Sequence, residues 1–249
     1  MYPNFENKHM EEALFHPKDF LDYRKFSNKQ FPKKIVITYQ SSALRYFRKK
    51  FKGKYKIFKI HSNFHVHILE KENIGFVKMS GIGAPHAVTM IEELIGLGAK
   101  QFINIGTAGG LQKEGVFLCV KAIRDEGTSS HYLPHNKYSY PDEQLTKKFA
   151  EFLSKNGLLF NEGITWTIDA PYRETKKEIE HYSNEGVSTV EMEASALFAV
   201  SQVRNVKIAS AFVVSDTLIK KWEPKFHAMN VRKTQNKLID SAIDCLKSL

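Results

Sequence analysis

The chain is poor in cysteine, has no long apolar run, and lacks acidic residues over one long stretch. Its two cysteines, Cys119 and Cys245, lie far apart and in no metal or redox spacing. That excludes a disulfide framework and makes a reducing compartment, the cytoplasm, the default expectation. No apolar segment is long enough to span a bilayer, so no membrane partner is expected. Residues Met1 to Met10 lack the apolar core of a secretory signal. Linkers, low-complexity tracts and internal repeats are also missing, which leaves one domain over 1–249. At 42% apolar composition, a chain of 249 residues can bury one sizeable core.

Between Asp22 and Glu70 there is no acid at all, whereas Arg24, Lys25, Lys29, Lys33, Lys34, Arg45, Arg48, Lys49, Lys50, Lys52, Lys54, Lys56 and Lys59 fall there. The net charge of +10 is therefore unevenly spread. Such a run suits a nucleic-acid surface, attraction of a small phosphate-bearing ligand, or a solvated face. The interleaved Tyr46, Phe47, Phe51, Tyr55 and Phe58 fit an edge strand or an amphipathic helix as well as a base-stacking surface.

Periodicity predicts strands over 34–39, 55–61, 64–69, 74–79, 101–105, 116–123, 162–168, 187–191 and 207–214. It predicts helices over 42–51, 84–97, 142–156, 173–184, 192–204 and 229–247. Residues 106–110 read as a glycine-rich turn. Alternating strands and helices predict a single-domain, three-layer α/β/α fold around a largely parallel or mixed sheet, with ligands at the carboxyl ends of strands.

Four segments can carry chemistry. Ser80-Gly81-Ile82-Gly83-Ala84-Pro85-His86 and Asn104-Ile105-Gly106-Thr107-Ala108-Gly109-Gly110 each end a strand. Both read as tight turns, or as places where backbone approaches a ligand and free N–H groups meet an anion or a sugar hydroxyl. Neither gives a dinucleotide fingerprint. In Val190-Glu191-Met192-Glu193-Ala194, acids in a first helical turn complement the macrodipole, or one of them enters a cleft to hold ribose hydroxyls. Asp216, after Val213-Val214-Ser215, is a turn or capping residue, or a carboxylate at a strand end. His61, His65 and His67 fit a packed or wet strand face, or a shared zinc face with no acid or cysteine nearby; no metal is expected.

The order and spacing of these segments resemble the nucleoside phosphorylase superfamily over about residues 14–248, which includes purine nucleoside and uridine phosphorylases and methylthioadenosine-type nucleosidases. The resemblance implies cleavage of an N-glycosidic bond through an oxocarbenium-like state. It implies that Glu193 binds the ribose hydroxyls, that Met192 packs on the sugar, and that Asp216 protonates or hydrogen-bonds a purine at N7. It places Glu191, Gly83, Gly109, Thr167, Ile168 and Arg173 at the substrate, and Gly106 and Thr107 near ribose and phosphate. His16 would reach the 5′ end of a nucleoside in a neighbouring subunit, with residues 1–30 as an extension at a subunit interface. A homo-oligomer (dimer, trimer or hexamer) and a small nucleoside follow as partners. Inorganic phosphate is the co-substrate of a phosphorylase, no cofactor is needed, and no nucleic-acid partner is required to explain the motifs.

The phosphate-binding pattern departs from the family's. Where phosphorylases carry Gly-Asp-Pro-x-Arg after the first strand, the chain has Thr38-Tyr39-Gln40-Ser41-Ser42-Ala43-Leu44-Arg45. Asn104 replaces the family's arginine before the Gly-Thr turn, and a neutral amide cannot pair with a phosphate dianion. Ser41, Ser42 and Arg45 remain for a modified anion site. Because the rest of the chain resembles the phosphorylase branch, the expected activity is a purine nucleoside phosphorylase; the missing arginine and loop make a hydrolytic nucleosidase the first alternative, and a non-catalytic nucleoside-binding protein is the second.

Overall fold

A computed structural model describes residues 3–26 and 30–249. A central mixed sheet is built from β1 (Lys34–Thr38), β2 (Lys56–His61), β3 (Phe64–Leu69), β4 (Ile74–Lys78), β5 (Gln101–Gly110), β6 (Val116–Asp125), β7 (Tyr138–Ser139), β8 (Asn161–Ile168), β9 (Val187–Glu191), β10 (Lys207–Thr217) and β11 (Glu223–Pro224). The helices are α1 (Pro17–Tyr23), α2 (Ser41–Lys50), α3 (Ala84–Gly96), α4 (Glu143–Lys155), α5 (Lys176–Asn184), α6 (Ala194–Val203) and α7 (Met229–Lys247).

β1 is a run of buried, mostly β-branched residues, as expected of a strand covered on both faces. Its alternate side chains feed two cores. Ile35 and Ile37 enter the one that includes α3 and α6, and Val36 enters the one that includes α2, α4 and α7. The three expected layers are thus present. α6 is buried on nearly every side and is accordingly mostly apolar, with the hydroxyls of its buried Ser195 and Ser201 hydrogen-bonded. The expected ends of α3 and α4 hold: Gly98 and Gly157 take positive φ just past them, where glycine meets no Cβ penalty.

The strand order is β11-β10-β6-β8-β9-β5-β1-β4-β3-β2, and β10 also pairs with β5, so that five strands close into a ring. β10 runs parallel to β5 along its whole length, from Lys207 opposite Gln101 to Thr217 opposite Gly110. That pairing overturns the expected turn at 106–110, because the glycines continue the strand. Close approach requires glycine at 109 and 110: a Cβ on Gly109 would lie 2.6 Å from Leu218 Cδ1 and 2.9 Å from Val190 Cγ1, and one on Gly110 2.9 Å from Val214 Cγ1.

Other boundaries shift for local reasons. The helix expected from 173 begins at Lys176, because Thr175 caps it reciprocally with Glu178; Pro171–Arg173 form a separate 3-10 turn. The helix expected from 192 begins at Ala194. α1, β7 and β11, which periodicity did not predict, are short. α1 packs on α3, where Gly96 makes room for Leu21 and Pro17. Part of the 1–30 extension therefore folds onto its own chain, while residues 1, 2 and 27–29, including Lys29 of the basic run, lie outside the described residues.

The basic run is partly neutralised by acids from elsewhere in the sequence, with Lys50 at 2.6 Å from Asp240 and Lys56 at 2.8 Å from Glu70. No helix of the described residues is long and apolar enough to cross a membrane.

Candidate active site

β1 pairs with one edge of β5 only as far as Asn104, and β9 takes up that edge only at Gly109 and Gly110. Among the described residues, 105–108 therefore have a strand neighbour on the β10 side alone. A cavity of about 300 Å³ opens in this gap. Gly106, Thr107, Ala108 and Gly109 form its floor, and Tyr39 and Gln40 enter from the end of β1. Glu191, Met192 and Glu193 come from the end of β9, and Ser215 and Asp216 from β10. Every contributing strand except the antiparallel β9 runs parallel to β1, so the opening lies at carboxyl ends, as sheet topology requires.

The two glutamates differ in what they touch. Glu191 is consumed by structure: Thr167 Oγ1 donates to it at 2.5 Å, and the N–H groups of Glu193 and Ala194 donate at 2.8 and 2.7 Å. It thereby caps α6 and fixes the backbone of Glu193. Glu193 accepts the Gly83 N–H at 2.6 Å. Gly83 holds φ +95° at the head of α3, a conformation that suits glycine and turns that N–H towards the carboxylate. Burial raises the pKa of both acids, and the mutual repulsion of the pair adds to the shift of Glu191.

Asp216 has both oxygens engaged, by Ser215 Oγ at 2.9 Å and by the indole N–H of Trp222 at 3.0 Å. Trp222 and Phe226 are exposed, and Phe226 lines the cavity. Glu174 also faces the cavity; burial, followed by repulsion from Asp216 and Glu178, pushes its carboxyl up to about 7. The Tyr39 hydroxyl is buried and has no hydrogen-bond partner. Burial and the nearby Glu193 and Glu191 raise its pKa well above the usual phenol value, so the hydroxyl keeps its proton.

A second chamber of about 280 Å³ shares Gln40, Thr107 and Phe226 with the first. Ser41, Ser42, Arg45, His227 and Arg232 line it, and no acid among the described residues does. Gln40 is the wall between the two, donating to Thr107 Oγ1 at 3.1 Å and accepting from Gln235 Nε2 at 2.7 Å.

The structure thus brings together Glu193, Met192, Glu191, Asp216, Gly106, Thr107 and Gly109, and it sets Arg45 in the adjoining chamber. Gly83 contributes its backbone N–H. Thr167 stands behind Glu191, accepting the Ser195 N–H at 3.0 Å, and Ile168 packs in the core around Trp166. Three more expected site residues are not among those lining the cavity. Asn104 is fully buried and donates to Ser210 Oγ at 3.2 Å, so it sits in the sheet instead of at an anion. Arg173 lies exposed on the 3-10 turn, one residue short of Glu174. His16 heads α1 on the surface, its backbone N–H donating to Asp19 at 2.7 Å. The histidines of β2 and β3 part company: His61 meets Glu93 at 2.6 Å, an acid near in space though distant in sequence, and His67 accepts from Arg48 at 3.0 Å.

Tyr39, Glu174, Trp222, Phe226 and Arg232 were not singled out by sequence pattern. Only Tyr39 carried a signal, as the first residue after a buried strand.

Two adjoining chambers at strand ends, one lined by a pair of acids and one by Arg45 and Arg232, mark the candidate site of this α/β fold. The family model of the phosphorylase superfamily matches residues 34–247, and the chain belongs to that family. It is 26% identical over 144 residues to a guanosine phosphorylase of Halorubrum lacusprofundi, a match covering 56% of the chain. The chain spans only 60% of the length of that relative. Among solved structures, a purine nucleoside phosphorylase from Toxoplasma gondii superposes with a TM-score of 0.76 at 19% identity, over 96% of this chain and 98% of that one. An AMP nucleosidase from Bacteroides thetaiotaomicron superposes with a TM-score of 0.74 at 21% identity, over 92% and 97% of the respective chains.

Proposed function

We propose that the chain cleaves the N-glycosidic bond of a purine nucleoside, with phosphate as the acceptor. The observation that carries this reading is the junction of the two chambers at Thr107 and Gln40: an acid-lined cavity beside a cation-lined one. In the first, Glu193 holds ribose hydroxyls while positive charge grows on the sugar, and Asp216 hydrogen-bonds the departing base. Trp222 and Ser215 keep the Asp216 carboxyl oriented. Phosphate in the second chamber would lie between Arg45 and Arg232, with the hydroxyls of Ser41 and Ser42 at the start of α2. These groups take the place of the missing Gly-Asp-Pro-x-Arg loop and of the arginine that Asn104 replaces.

The test is free-base release from purine and pyrimidine nucleosides, with and without phosphate, with identification of the sugar product. Ribose 1-phosphate formed only with phosphate is expected. Arg232→Ala should then raise the KM for phosphate by about 10-fold or more, the worth of one lost charge-assisted contact. Free ribose at a phosphate-independent rate would replace phosphorolysis by hydrolysis. No release of any base would leave a nucleoside-binding protein.

A further inference from the structure

The basic run of the sequence meets a second set of cations in space. α2 lies against α7: Tyr46 Oη donates to Asp240 at 2.8 Å, Lys50 Nζ lies 2.6 Å from the same carboxylate, and Ser42 Oγ donates to Gln235 at 3.4 Å. Those contacts take one side of α2. Arg45 and Lys49, one helical turn apart, and Lys52 just past the helix stay exposed. On α7, Lys233 and Lys237 are exposed, again one turn apart. None of these five side chains makes a hydrogen bond or ion pair with a described residue. The acids of α7 are spent elsewhere: Asp240 on Tyr46 and Lys50, Asp244 on Asn156 and Lys247. α2 has no acid. Like charges gathered in this way repel one another, and a polyanion relieves the repulsion.

The same surface ends in aromatic rings. Arg45 lines its chamber together with Phe226, and Trp222 lies beside Phe226 with ring centroids 6.4 Å apart. Trp222 is 60% exposed and Phe226 48%, although rings of this size are ordinarily buried in a core. A lipid surface is a poorer match. Apart from Met229 at the start of α7, neither helix exposes a large apolar side chain that could enter a bilayer. We propose that the joined face of α2 and α7 docks a single-stranded nucleic acid, its phosphates on the five unpartnered cations and an unstacked base on Phe226 or Trp222 at the chamber mouth. A track of cations follows the backbone of a single strand, and an aromatic face takes a base of any identity. A duplex offers the phosphates but keeps its bases stacked inside.

The experiment is fluorescence-anisotropy binding of an oligouridylate of about 15 nucleotides, a length within the usual footprint of such surfaces. A pyrimidine strand keeps the readout apart from any reaction of purine nucleosides. At about 0.7 for each phosphate contact, the five cations give a slope of log K against log salt near −3.5, so affinity should fall about 100-fold between about 50 and 200 mM salt. Combining Lys49→Gln, Lys52→Gln, Lys233→Gln and Lys237→Gln should bring the slope to about −1 and weaken binding by about 10-fold or more at the lower salt. Nucleoside cleavage and melting temperature should not change, because the four side chains are exposed and outside both chambers. A second variant sheds the same charge at exposed lysines on other elements: Lys18→Gln, Lys71→Gln, Lys100→Gln and Lys177→Gln. It should bind as the wild type does, and a duplex of equal length should bind more weakly than the single strand. Absence of binding, equal weakening in the two variants, or a duplex bound as tightly as the single strand overturns the proposal. Binding of phosphatidylserine vesicles in place of the oligonucleotide overturns it too and gives the face to a membrane.

Discussion

At the scale of single residues, the site divides into groups that touch the ligand space and groups that hold them. Glu193 belongs to the first and Glu191 to the second, although they are two positions apart. Glu193→Gln should lower kcat/KM by about 100- to 1,000-fold, the usual cost of losing one charge-stabilising group, with little change in thermal stability. Asp216→Asn should cost about 100-fold or more on purine nucleosides and far less on pyrimidine ones, because only a purine presents N7. Equal losses on the two classes in steady-state assays would remove Asp216 from its role as acid. The Val-Glu-Met-Glu-Ala run and Asp216 were legible in the sequence because each joins a strand end to a helix or turn. Trp222 was not: it reaches Asp216 from a loop whose path no periodicity encodes.

At the scale of elements, β5 shows where sequence reading stopped. Its glycines read as a turn, yet their role depends on Val190, Leu218 and Val214 crowding them from other strands. Gly109→Ala should therefore destabilise the fold by about 1–3 kcal/mol, by overpacking, and disturb Asp216, whose Oδ2 lies 3.6 Å from the added Cβ position. Denaturant titration together with an activity assay checks both. Asn104 was read as a replaced phosphate ligand, but β1 and β10 enclose it on either side. Asn104→Arg should accordingly yield an unstable protein and no gain in phosphate response. α2 was legible from its spacing alone. It is anchored by Phe47, which is fully buried and stacks on Phe76 with ring centroids 4.2 Å apart. Phe47→Ala should cost about 3–5 kcal/mol.

For the whole molecule, layers and strand alternation were readable from local pattern, but the ring closed by β5 and β10 was not. The two strands are about a hundred residues apart in sequence, and nothing local records the pairing. The buried acids and one buried histidine also give the folded state a definite pH profile. Glu191 and Glu193 have raised folded pKa values, so the stability linked to their protons is present at low pH and lost as pH rises through those values. His67 moves the other way: burial and Arg48 lower it from 6.5 to about 4, so stability falls as pH drops through that interval. The acids act from 4.5 up to about 7 and 8 and the histidine between about 4 and 6.5, so above pH 6.5 only the acids remain. Melting temperature should therefore fall between pH 6.5 and 8, and Glu191→Gln should flatten that fall. A profile still rising at pH 8.5 would contradict these assignments.

The break in strand pairing along β5 also sets a time scale. Amides of residues 105–108 belong to a strand by geometry but have a strand neighbour on one side only. In deuterium exchange, those that point into the gap should behave as loop amides in the empty protein and as core amides once a ligand fills it. The protein's most informative reporter of occupancy would then be its own main chain, in the middle of its most central strand.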